Sequence, residues 1–123
     1  MPAARERAAA VDGALDEVYF TVLVEALGPV KFAEIIAGVA DDVRPHRERL
    51  ARARARGDLA EVGAAAHAMQ GIATNLGLSA LAGLTGAIEE AILAGADEQV
   101  QALCGQMDGC VVEALERLQA FRA

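Results

Sequence analysis

Asp58-Leu59-Ala60-Glu61-Val62-Gly63-Ala64-Ala65-Ala66-His67-Ala68-Met69-Gln70-Gly71-Ile72-Ala73-Thr74-Asn75-Leu76-Gly77 is the stretch that settles the fold class. Leu59, Val62, Ala66, Met69, Ala73 and Leu76 recur at alternating three- and four-residue steps. That is the period of a helix packed along one seam of a bundle. Asp58 offers an N-cap carboxylate with Glu61 three residues on, a variant of the capping box, and Gly77 closes the helix. His67 stands one step off the seam, with Gly63 and Gly71 four residues to either side on its own face. Each interior glycine costs roughly 1 kcal/mol against alanine. The spacing reads as room kept around the imidazole.

The same period extends in both directions. Leu15, Val18, Tyr19, Val22, Leu23 and Leu27 form a stripe that ends at Gly28-Pro29, a C-cap glycine followed by a helix-opening proline. Phe32, Ile35, Ile36, Val39, Val43 and Leu50 carry a long helix to Gly57. Pro45 lies inside it and predicts a bend near Asp41-Asp42 rather than a break, because the stripe continues in phase. Arg47, Arg49, Arg52, Arg54 and Arg56 crowd the end of that helix. Their default reading is a solvated terminus matched to the helix dipole. Ser79 caps a helix with Leu81, Leu84, Ile88 and Ile92, ending at Gly95. Asp97 caps a final helix with Val100, Leu103, Met107, Val111, Leu115 or Ala114, Leu118 and Phe121. No segment alternates like a strand, and the short connections force antiparallel neighbours. The expected fold is all-α: an up-down antiparallel four-helix bundle with a short extra N-terminal helix.

The bulk numbers bound the function. At 123 residues the chain is expected to be one domain, 1–123, with residues 1–12 frayed at the N-terminus. A formal charge of −7 argues against nucleic acid or an anionic membrane as the main partner. No apolar run approaches the roughly 20 residues that span a bilayer, and the charged N-terminus has no signal-peptide core behind it. The expected location is the cytoplasm. Cys104 and Cys110 read as reduced packing residues on one helix, about 120° apart around its axis and unable to pair. One complete apolar seam per helix is expected to leave a monomer.

Catalytic constellations are scarce. The chain has no Cys/His metal spacing, no glycine-rich phosphate loop after a strand and no nucleophile with an evident base beside it. The acidic pairs Asp41-Asp42 and Glu89-Glu90 read as solvated, since adjacent helix residues do not converge on one substrate. His46, among charges, reads as a surface or boundary residue. His67 remains. Its helical neighbours are Gly63, Ala64, Gln70, Gly71 and Thr74, small enough for a partner surface to approach closely. An imidazole in water is largely neutral and nucleophilic near pH 7, so it can accept and pass on a group whose transfer another protein catalyses.

His67-x-Met69-Gln70-Gly71-x-Ala73-x-x-Leu76-Gly77 resembles the signature of histidine-containing phosphotransfer (HPt) domains. In that family the histidine is followed by an apolar residue, Lys, Gly, a small residue and Gly at these positions. The likeness continues through Leu81, Leu84 and Ile88-Glu89, and upstream through Asp41-Asp42-Val43-Arg44-Pro45 and the Gly57-Asp58 junction. It covers roughly residues 15 to 120. The resemblance implies that His67 is phosphoacceptor and donor, with Gln70 and Gly71 beside the phosphoryl group. It implies docking through Gly63, Ala64 and Thr74, flanked by apolar residues of the second helix. The partners would be a sensor (hybrid) histidine kinase and response-regulator receiver domains. The chain would need no cofactor of its own and is not expected to be an enzyme, with Mg²⁺ on the partner receiver. Gln70 departs from the family's usual Lys. An amide donates without charge, so the phosphorylated state should be less stabilised, by about 1–2 kcal/mol. The alternative is an HPt-like module that binds receivers or kinases as inhibitor or scaffold without carrying phosphate.

Overall fold

The computed structural model describes residues 16–120, all of whose regular structure is helical. The expected frayed segment 1–12, Leu15 and Phe121 lie outside the described residues. The helices are α1 (Glu17–Leu27), α2 (Pro29–Arg56), α3 (Leu59–Asn75), α4 (Ser79–Leu93), α5 (Asp97–Cys104) and α6 (Met107–Ala120). No helix among the described residues is long and apolar enough to cross a membrane.

Gly28, Gly57, Gly77 and Gly95 all have positive φ and sit at helix ends, where the sequence places them. α2 runs through Pro45 as one helix. The Asp58 carboxylate accepts from the Glu61 N–H at 3.1 Å, fixing the start of α3. Two expected caps move by one residue. Leu78 and Ala96, not Ser79 and Asp97, are the cap residues of α4 and α5. Both donate backbone hydrogen bonds back into the preceding helix, Leu78 to Ala73 at 2.8 Å and Ala96 to Ala91 at 2.9 Å. Leu78 is also buried, so anchoring the turn outweighs capping by a hydroxyl.

The core takes one face from each rod: Val39, Val43 and Leu50 of α2; Val62, Ala66, Met69 and Ala73 of α3; Leu81, Leu84 and Ile88 of α4; and Val100, Met107, Val111 and Leu118 of α5 and α6. Ala114 is the buried residue of its pair, and Leu115 is half-buried. Consecutive helices are joined by turns of one to three residues. Cross-helix pairs follow the same register, with Arg49 on Glu61, Arg54 on Gln101, and Arg47 on Asp108. Arg47, Arg49 and Arg54 thus bridge to other helices, while Arg52 and Arg56 stay exposed in the last turns, Arg56 beside Asp58, as a solvated, dipole-matched terminus requires.

Three expectations are corrected by these contacts. The final helix is not continuous. It divides at Gly105–Gln106, where Arg54 donates to the Gln101 carbonyl that also accepts from Gly105. Glycine's weak helix propensity offers little resistance to the break. Cys104 and Cys110 thus lie on different helices, both as free thiols, and burial is the main force pushing each thiol's pKa up. The third correction concerns α1, whose packed face is Phe20, Leu23 and Val24, while Val18 and Val22 are exposed. Phe20 packs edge-on against both Tyr19 and Phe32, and that aromatic contact turns the helix.

α1 is tied to the α3–α4 turn by the Asp16 N–H to the Gly77 carbonyl at 3.0 Å and by the Tyr19 hydroxyl to the Asn75 carbonyl at 2.5 Å. A Cβ on Gly77 would lie 2.6 Å from the Tyr19 ring, and its φ is +67°. Gly77→Ala should therefore destabilise the protein by at least about 1–2 kcal/mol, the usual cost of forcing a side chain into left-handed backbone; urea unfolding measures this.

The Arg49–Glu61 hydrogen bond gives a second test. Arg49 holds the Glu61 carboxyl below its ordinary value of 4.5, against a smaller opposing effect of burial. A lowered folded-state pKa contributes stability above the ordinary carboxylate range and loses it as pH falls through the lowered value. Glu61→Gln should melt below the wild type at neutral pH. The two melting curves should converge below about pH 4.

Candidate functional site

α3 presents two faces with opposite roles. Its seam holds Val62, Ala65, Ala66, Met69 and Ala73, all fully buried. His67 points away from that seam, its side chain 76% exposed. Ala64, Gly71 and Thr74 share the exposed surface, whereas Gly63 and Gln70 are half-buried along the line where α3 meets α4. A Cβ on Gly71 would meet nothing within 4 Å, which fits the clearance read from the sequence. Gly63 differs. A Cβ there would touch Ile92 Cδ1 at 3.4 Å, so this glycine also serves the close approach of α4.

The residue that the sequence reading missed is Glu89. Its side chain, 28% exposed on α4, places Oε2 3.0 Å from His67 Nδ1. The expectation that Glu89-Glu90 is merely solvated is overturned for Glu89, as is the absence of a basic group beside the nucleophile. An ionised carboxylate only accepts, so this bond requires the proton on Nδ1. The neutral ring then carries its lone pair on Nε2, on the side away from Glu89. The signal was present in the sequence: His67 and Glu89 are nearly equidistant from Gly77. Antiparallel helices joined there bring them level.

Neighbouring levels of the same helix pair repeat the pattern. Gly63 faces Ile92 on one side of the His67–Glu89 contact, and Gln70 lies against Gly86 on the other. Gly63, Glu89, Ile92 and Leu93 line a shallow cavity of about 170 Å³ beside the ring. Leu93 is 88% exposed at its rim. The apolar lining of this cavity comes from α4. His46 is half-buried, as a boundary residue should be. Among the described residues no group of three or more His, Cys, Asp or Glu side chains could hold a metal ion.

The arrangement gives an exposed nucleophilic nitrogen whose tautomer is set from behind by a carboxylate, mounted between two packed helices. Replacing Glu89 by Ala should release the tautomer. Long-range ¹H–¹⁵N NMR of the neutral ring should show the Nδ1–H form in the wild type. In the variant it should show a mixture weighted toward Nε2–H.

In comparison with known proteins the chain matches the family model described as the Hpt domain, over residues 34–121. No curated protein and no solved structure matches the chain.

Proposed function

The chain belongs to the Hpt domain family, and on that footing we propose that it is a histidine phosphotransfer protein of a two-component phosphorelay. The family fixes the broad role, a phosphocarrier module in two-component signalling with kinases and receiver domains as partners. The assignment of His67 as the carrier rests on one observation: its Nδ1 is held by Glu89 while Nε2 faces solvent.

In the forward step Nε2 attacks the phosphorus of a receiver's aspartyl phosphate. The P–O bond to the aspartate breaks, its electron pair stays on the carboxylate oxygen, and the phosphoryl group ends on Nε2. Such transfers pass through a loose, in-line transition state that asks for positioning and charge balance more than covalent help. The ring becomes cationic as the N–P bond forms, and Glu89 on Nδ1 offsets that charge. Mg²⁺ on the receiver would neutralise the phosphoryl oxygens. Return transfer to a second receiver's aspartate reverses each step.

Docking follows from reach. A receiver that brings its aspartate to Nε2 covers on the order of 800 Å² of this chain. That footprint takes in Ala64, Gly71 and Thr74 and, on the α4 side, the cavity at Gly63, Ile92 and Leu93. The rigid support is the expected up-down bundle, with α2, α3, α4 and the α5–α6 pair as its rods, which the cross-helix pairs of the α2 arginines support. We place the carrier in the cytoplasm as a monomer, with no cofactor of its own.

Phosphotransfer from a phosphorylated receiver tests the reading. Wild type should take up label and His67→Gln none. Leu93→Glu should slow uptake by about tenfold, the loss of one apolar anchor. Receiver binding without any labelling of the wild type would assign the chain to scaffolding or inhibition instead.

A further inference from the structure

Gly86 lies in the interior of α4, where glycine is less favourable than alanine. Its backbone φ is not positive, and a Cβ at this position would meet one atom within 4 Å, Gln70 Nε2 at 3.0 Å. No core side chain or neighbouring backbone calls for the missing side chain. The Gln70 amide does. At that distance an alanine methyl would push the carboxamide back by a few tenths of an ångström. Gln70 is three residues beyond His67 and Gly86 is three before Glu89. On antiparallel helices the Gln70–Gly86 contact is therefore the level next to the His67–Glu89 hydrogen bond. Residues three apart on a helix have Cβ atoms roughly 5–6 Å from each other, within reach of a phosphoryl group on Nε2 for a side chain as long as Gln.

We propose that Gly86 is a positioning residue of the phosphotransfer site: its bare backbone seats the Gln70 carboxamide on α4, where the amide donates to the phosphoryl oxygens on His67. The inference rests on the phosphocarrier reading above. A flexible cationic side chain could find a phosphoryl group by charge alone. A neutral amide gains less from each encounter and depends more on being held in place. The glycine supplies that hold from the opposite helix.

The experiment labels wild type, Gly86→Ala, Gln70→Ala and the double variant from a phosphorylated receiver, removes the receiver and follows first-order loss of phosphohistidine. Thermal melts run alongside. Alanine favours the helix, so the melting temperature of Gly86→Ala should hold or rise. Its phosphohistidine half-life should nevertheless fall about threefold to tenfold, the scale of one ordinary hydrogen bond. Gln70→Ala should shorten the half-life similarly, and the double variant should match Gln70→Ala. An unchanged half-life in Gly86→Ala would overturn the inference and leave His67 as carrier. So would an equal loss from Gly86→Ala when Gln70 is already absent. Failure of the wild type to label at all would remove both readings.

Discussion

The close antiparallel contact of α3 with α4 is the constraint from which the site derives. α3 turns Ala65, Ala66 and Ala73 inward, all fully buried, and Gly63 and Gly86 remove a side chain from opposite sides of the contact line. Small residues at a helix crossing let the axes approach toward the short end of the usual 8–10 Å spacing. Across this contact the Glu89 carboxylate reaches the His67 imidazole directly, at 3.0 Å. The turn at Gly77 then decides which residues meet: Glu89 comes level with His67, Gly86 with Gln70 and Ile92 with Gly63. Tyr19 lies over Gly77 and bonds the Asn75 carbonyl, so α1 braces the turn that sets this register.

Charge is arranged to keep that surface open. Arg47, Arg49 and Arg54 of α2 are occupied across the bundle by Asp108, Glu61 and Gln101. They hold the rods together and leave the face around His67 to small and apolar side chains. Among the described residues, the charged partner brought to the ring is Glu89, behind it on Nδ1. A carboxylate in front would repel an aspartyl phosphate. On the proposed reading, one behind would strengthen the ring as a nucleophile and balance the positive charge of a phosphorylated imidazole.

What could be read from the sequence was what is local along the chain. The ends at Gly28, Gly57, Gly77 and Gly95, the seam of α3 and the exposed position of His67 all follow from caps and the 3.6-residue period. The missed features depend on what lies across a helix pair. Glu89 looked like half of a solvated acidic pair because periodicity reports faces, not which residue on the next helix comes level. Gly86 drew no attention, since its reason is the end of a side chain on α3. In α1 the apolar residues Val18, Tyr19, Phe20, Val22, Leu23 and Val24 cover most of the helix and leave only a narrow polar strip at Thr21 and Glu25 to orient it; Phe32, distant in register, makes the choice. At the Gly105–Gln106 break the Gln106 N–H bonds the Leu103 carbonyl, and Arg54 of α2 meets the Gln101 carbonyl beside it.

The central claim is that Glu89 holds Nδ1 so that Nε2 alone is free to carry the phosphoryl group. ³¹P and ¹⁵N NMR of the ¹⁵N-labelled, phosphorylated protein tests it most directly, because the phosphorus–nitrogen coupling identifies the bonded ring nitrogen. The account predicts coupling to Nε2 of His67, with Nδ1 still protonated. Phosphorus bonded to Nδ1, or found on His46 instead, would contradict it.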